Sequence, residues 1–176
     1  MATSIALLRS INVGKRRVRM PDLVEMFVAA GCTDVRTYVQ SGNVVFSHPS
    51  RSEKSLRADL EARLVDGCGF EVRVVLRTRA EMSSIVERNP YPRREATKVH
   101  VSFLVDAPAV AAADAIDRPA FEPEAFTVDG REIYLDLPDG MGRSVLAPVL
   151  GRSLLRSPAT TRNWRTVEAL LEMVSV

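Results

Sequence analysis

Asp34-Val35-Arg36-Thr37-Tyr38-Val39-Gln40-Ser41-Gly42-Asn43-Val44-Val45-Phe46-Ser47 is the stretch on which the fold turns. Residues 34–39 and 43–47 are rich in β-branched and aromatic side chains. The glycine-containing break Gln40-Ser41-Gly42 between them predicts a β-hairpin. That hairpin constrains its neighbours. Upstream, the apolar run 5–11 predicts a central strand, followed by a polar, basic loop over 12–17. A helix opens at Pro21, with Asp22 and Glu25 in its first turn and Leu23, Val24, Phe27 and Ala30 on one face, and Gly31 stops it. Downstream, Leu56, Leu60 and Leu64 recur every four residues after the cap candidates Ser50 and Ser52, predicting a second amphipathic helix that ends at Gly67. Residues 70–76, rich in valine, predict a fourth strand.

The order over residues 4–77 is therefore β-α-β-β-α-β, the ferredoxin-like arrangement, with an antiparallel sheet and both helices on one face. Thr78-x-x-Glu81 is a capping box that starts a third helix, stopped at Asn89-Pro90. Beyond it the order partly repeats: a strand at 99–105, an alanine-rich helix at 108–116, and a hairpin, 125–128 with 132–137, around Asp129-Gly130. A helix over 144–155 follows, interrupted by Pro148 and Gly151. The expected fold class is α+β: a ferredoxin-like half, a truncated ferredoxin-like half and a C-terminal helix. That last helix, 163–173, carries Trp164, Val167, Leu170, Leu171 and Val174 on one stripe, with Trp164 as a buried anchor. The expected domains are 1–90 and 91–176, the terminal helix packing back on the first. No residue pattern is shared between the halves.

With 176 residues, 46% of them hydrophobic, the chain can bury a core, which excludes intrinsic disorder. The N-terminus lacks the apolar stretch of a secretory signal, and no apolar run reaches the roughly 20 residues that span a bilayer, so a cytoplasmic protein with no membrane partner is expected. Cys32 and Cys68 have neither zinc-knuckle nor redox spacing, and a small buried side chain is expected for each in preference to a reactive thiol. His48, placed in a loop, and His100, placed in a strand, form no ligand pattern. No metal and no cofactor are expected.

The formal charge of +2 conceals an asymmetry. Arg9, Lys15, Arg16, Arg17 and Arg19 fall within residues 9–19 without an acid, and Arg143, Arg152, Arg156, Arg162 and Arg165 fall between Asp139 and Glu168, again without one. Removing those ten charges from +2 leaves −8 for the rest. The two basic segments are expected to converge in space. Of 24 basic residues only Lys15, Lys54 and Lys98 are lysine. An arginine excess suits bidentate contact with phosphate or carboxylate, and genomic base composition is an equal explanation for it.

The segments Ile5-Ala6-Leu7-Leu8-Arg9-Ser10-Ile11-Asn12-Val13-Gly14, Met20-Pro21-Asp22-Leu23, Thr37-Tyr38-Val39-Gln40-Ser41-Gly42-Asn43-Val44-Val45-Phe46 and Thr160-Thr161-Arg162-Asn163-Trp164-Arg165-Thr166-Val167 resemble the bacterial family called domain of unknown function 1697. The resemblance extends over essentially the whole chain. It implies an α+β protein with ferredoxin-like subdomains, and no activity. Ser10 stands where the family usually has glycine, and Lys15-Arg16-Arg17 replaces a more Gly/Lys/Asn-like loop.

Arg9, Asn12, Lys15, Ser41, Asn43, Arg162 and Asn163 are cation, amide and hydroxyl donors, a set suited to an anionic ligand. Turn capping is the competing explanation for Asn12, Ser41 and Asn43. In ferredoxin-like order the first and third strands are adjacent, so the loop after strand one and the turn 41–43 are expected to border one surface. The leading expectation is a binding module for a nucleotide or nucleic-acid phosphate. RNA recognition on the sheet face is disfavoured, because stacking aromatics are missing: strand one offers Leu7, Leu8 and Arg9, and strand three only Phe46. One alternative is an enzyme acting on a small phosphorylated or carboxylated substrate, with Asp22, Glu25, Tyr38 and His48 as acid–base candidates in no known catalytic spacing. The other is a protein-interaction or self-associating module, its oligomeric state left open. No nucleophile elbow, Walker loop or dinucleotide fingerprint is present.

Overall fold

The computed structural model describes residues 1–175 and forms the hairpin as β2 (Thr33–Tyr38) and β3 (Asn43–His48), paired antiparallel with Tyr38 opposite Asn43. β3 pairs in turn with β1 (Ala2–Arg9), which pairs with β4 (Arg73–Thr78), giving an antiparallel sheet in the order β2-β3-β1-β4. The helices α1 (Met20–Ala29) and α2 (Glu53–Cys68) complete β-α-β-β-α-β. This sheet belongs to the first of two compact units, residues 1–83 together with the chain from Leu170 onward; the second comprises residues 84–169.

One face of the first sheet packs Ala6, Leu8, Val44, Phe46, Val74 and Leu76 against Leu23 and Phe27 of α1 and Leu56, Leu60 and Leu64 of α2. Phe27 and Phe46 meet edge to face with ring centres 5.1 Å apart. Truncating either would cost about 3–5 kcal/mol. Ile5, Leu7, Val45 and Val75 on the opposite face are equally buried, which explains why β1 reads as a continuous apolar run and not as an alternation. The expected stop of α2 at Gly67 needs correction. Gly67 lies inside the helix, where a Cβ would come within 2.7 Å of Met26 Cε, so it is there for close approach of α1 and α2. The stop is Gly69, in the left-handed conformation.

The second unit contains β5 (Val99–Leu104), α4 (Val110–Asp114), β6 (Ala125–Asp129), β7 (Glu132–Asp136), α5 (Leu146–Ser153) and β8 (Ala159–Asn163), with sheet order β6-β7-β5-β8. This half is not truncated. Ala159–Asn163 pairs antiparallel with β5 and takes the place that β4 has in the first sheet. The strand was hidden because Arg162 and Asn163 interrupt its apolar pattern and Pro158 precedes it. Its core joins Leu104, Phe126, Ile133, Leu135, Leu146, Leu150 and Leu154. The Tyr134 hydroxyl, fully buried, donates to the Ile85 carbonyl at 2.8 Å.

The capping box starts α3 (Arg79–Glu87): Glu81 N–H donates to Thr78 Oγ1, and Thr78 N–H donates to Glu81 Oε2 at 2.7 Å. α6 (Trp164–Ser175) begins in the second unit and ends in the first, where Arg36 Nη2 donates to the Met173 carbonyl at 2.6 Å. Trp164 is buried, as expected of an anchor. No helix among the described residues is long and apolar enough to cross a membrane.

Candidate anion-binding groove

The loop after β1 is stitched to the tip of the β2–β3 hairpin. Asn12 stands in the left-handed region at φ 53°; its side-chain amide donates to the Gln40 carbonyl at 2.8 Å, and its Oδ1 accepts from Val18 N–H at 2.9 Å. The Leu8 amide adds a bond of 2.8 Å to the Gly42 carbonyl. Gly42 is required here. Its φ is +78°, and a Cβ would fall 2.7 Å from Leu8 Cβ and 2.8 Å from Ile11 Cδ1. Asn43 is fully buried, its amide donating to the Tyr38 carbonyl and to Ser41 Oγ, both at 2.9 Å. Asn43 and Ser41 thus build the turn that presents Gln40. The expected shared border between this loop and this turn is present.

Between them lies an open groove of about 680 Å³ lined by Asn12, Arg17, Val18, Arg19, Met20, Pro21, Asp22 and Gln40. It runs along the N-terminus of α1, where Arg19 at the N-cap makes no side-chain cap and Pro21 has no N–H to offer. Arg17 Nη1 donates to the Asn12 carbonyl at 3.3 Å, and Arg19 Nε lies 3.7 Å from Asp22 in a largely exposed pair. Two guanidiniums and a helix N-terminus, worth roughly half a positive charge, face one carboxylate. Backbone strain gathers at the same place: Ser10, Asn12 and Val39 all have positive φ, and Val39 is a β-branched residue at 50°.

Arg9 and Lys15, both exposed, do not line this groove. Arg9 stands opposite Arg73 at the end of β1. Lys15 lies in a tight turn closed by a bond from Arg16 N–H to the Val13 carbonyl, while Arg16 covers the Phe70 ring at 5.4 Å. Arg17, Arg19 and Gln40 replace them as lining residues. The basic run pointed to the two arginines, but nothing in the sequence pointed to Gln40, which enters through the Asn12 bond.

In the second unit, Arg162 is buried in β8, donating to Thr160 Oγ1 at 2.6 Å and to the Thr161 carbonyl at 2.9 Å. Burial lowers its guanidinium to about 10, so it remains charged at neutral pH. Asn163 caps α6, its Oδ1 accepting from Thr166 N–H at 2.9 Å. Residues 9–19 and 143–165 lie in different units. Burial pushes both thiols upward, Cys32 despite the nearby Arg51 charge, which is the behaviour of inert cysteines. Among the described residues, no group of three or more His, Cys, Asp or Glu is placed to hold a metal ion.

The model of a protein family described as "Protein of unknown function (DUF1697)" matches residues 1–134. No curated protein matches the chain. Among solved structures, the conserved bacterial protein SP0830 from Streptococcus pneumoniae is similar with a TM-score of 0.79 at 20% identity, over 100% of this chain and 99% of that one. At that identity the likeness is one of fold.

Proposed function

The chain belongs to the DUF1697 family of proteins of unknown function, and on that premise we propose that its first unit is a binding module for an anionic ligand, a nucleotide or nucleic-acid phosphate, held in the groove beside the N-terminus of α1. The observation that carries this is the Asn12 bridge to Gln40 and Val18, which holds a strained loop open against the hairpin with Arg17 and Arg19 along its wall. Arg17 and Arg19 supply charge-assisted bonds, the first amides of α1 supply oriented dipoles, and Asn12, Ser41 and Asn43 are positioning residues. Arg9 and Lys15 steer anions toward the groove from its exposed surroundings. Arg162 and Asn163 shape their own unit.

We infer two ferredoxin-like domains, 1–90 and 91–176, each containing one of the two sheets; the support is the sheets' common strand permutation with every neighbouring pair antiparallel. The unpaired state of Cys32 and Cys68 suits a cytoplasmic location.

The test is fluorescence anisotropy with ATP and with a labelled 12-mer oligonucleotide across a salt series. Arg17→Ala with Arg19→Ala is expected to weaken binding at least tenfold and to reduce the magnitude of the salt slope by about two, one for each phosphate no longer neutralised. Unchanged affinity and slope would sink the proposal.

A further inference from the structure

A second concave site lies in the first unit, at the end of the sheet near the N-terminus of α2, and shares no residue with the groove. Cross-strand register sets it up. Ala2 stands opposite His48 and Ser4 opposite Phe46, so Ser4 and His48 are diagonal neighbours on the face that elsewhere holds Ala6, Leu8 and Phe46. On that apolar face two polar side chains come together, each at least nine-tenths buried. His48, expected in a loop, is the last residue of β3.

Their contacts are ordered. His48 Nδ1 lies 2.8 Å from the Pro49 carbonyl, which can only accept, so Nδ1 carries the proton. In the neutral ring the Nε2 lone pair then accepts from the Ser4 hydroxyl at 3.0 Å. A hydroxyl bonded to an imidazole that a third group orients is the arrangement that activates serine as a nucleophile. Ser4 and His48 open onto a cavity of about 130 Å³ walled by Leu56 and Leu76, with Arg51 and Glu81 also lining it. At about 30 Å³ per water, it has room for about four water-sized groups. Glu81 is engaged in its capping box, and the buried Arg51 Nε has no partner while Nη1 holds Asp59.

We propose that Ser4 and His48 form an esterase site for short-chain carboxylic esters. The small cavity offers aliphatic walls at Leu56 and Leu76 for a short acyl chain, with Arg51, Glu53, Arg77 and Glu81 also on its lining. In the first step Ser4 Oγ bonds to the carbonyl carbon as its proton passes to His48 Nε2; the bond from that carbon to the leaving oxygen breaks, and the departing alkoxide takes the proton from Nε2. In the second, water attacks the acyl-serine, one of its protons passes through Nε2 to Ser4 Oγ, and the acid is released. The net change is ester plus water to carboxylic acid plus alcohol, with no change of oxidation state.

The test is labelling of the full chain with an alkyl fluorophosphonate, in which Ser4 Oγ displaces fluoride, followed by peptide mapping. The native protein is expected to carry the adduct on Ser4 at least 100-fold faster than on any other serine, the urea-unfolded chain to carry none, and p-nitrophenyl butyrate to show a burst of one equivalent. His48→Gln is expected to slow Ser4 labelling at least 100-fold, and Arg17→Ala to leave it unchanged, which separates this site from the groove. A native chain without a Ser4 adduct overturns the proposal, and so does a folded His48→Gln variant that labels at the native rate. Mapping on the native chain decides the nucleophile even where a variant fails to fold.

Discussion

Replacing Gly42 by alanine drives a methyl group into the contact between the hairpin tip and β1. Two costs arise. At φ +78° an L residue in the left-handed region costs roughly 1–2 kcal/mol. The new Cβ also meets Leu8 Cβ at 2.7 Å and Ile11 Cδ1 and Cγ1 at 2.8 and 2.9 Å. Leu8 Cβ is fixed by the strand backbone and cannot swing away, so an overpacking cost of roughly 1–3 kcal/mol adds to the first. The expected loss is about 3 kcal/mol. Gly130 provides the control: its φ is +59° and nothing lies within 4 Å of its would-be Cβ, so Gly130→Ala carries only the conformational cost, about 1 kcal/mol. Urea denaturation of both variants measures the difference, expected near 2 kcal/mol. Hydrogen exchange adds a local readout, because the Leu8 amide bonded to the Gly42 carbonyl should lose protection in Gly42→Ala alone. Equal losses in the two variants, with Leu8 still protected, would refute the claim that close approach at Gly42 holds the groove together.

Asn163→Ala removes the cap of α6 and should lower stability by about 1 kcal/mol in urea denaturation, whereas a residue that served only a ligand would leave stability unchanged on removal. Tyr134→Phe leaves the buried Ile85 carbonyl without its donor and should cost about 1–3 kcal/mol by the same measurement. His100 is buried in β5, and desolvation lowers its pKa below the ordinary value of 6.5. The unfolded chain therefore binds a proton there before the folded one does, so stability falls as pH drops below about 6.5; His100→Gln should flatten that part of the stability curve from pH 7.5 to 5.5. Alkylation of Cys32 by iodoacetamide at pH 7.5 should run slower than that of a free thiol, since burial raises its pKa, and should reach the free rate in urea.

The first sheet was legible because local signals agreed with one another. The Gly42 hairpin, Pro21 at a helix start, the leucine repeat of α2 and the Thr78–Glu81 box each mark an element, and each element has the type and place expected. The errors occurred where tertiary packing overrode a local sign. Gly67 looked like a stop and is a packing contact with Met26. Strand β8 was not expected, because Arg162 has its guanidinium buried against Thr160 and Thr161 of the same strand, an arrangement that charge counting along the sequence cannot register.

The same distinction governs the basic segment 9–19. Five positive charges without an acid suggest a uniform cationic face, but their surroundings differ. Arg16 covers Phe70, Arg17 reaches the Asn12 carbonyl, Arg19 approaches Asp22, and Arg9 lies opposite Arg73. Of the five, Arg17 and Arg19 line the groove, and Arg9, Lys15 and Arg16 do not. In the proposed site, phosphate recognition depends on guanidiniums converging with oriented amides, and the proposal assigns that convergence to the Asn12 bridge, at a residue carrying no charge. Asn12→Ala should therefore weaken anion binding about as much as Arg17→Ala while leaving the net charge at +2, whereas in a purely electrostatic surface it would change nothing.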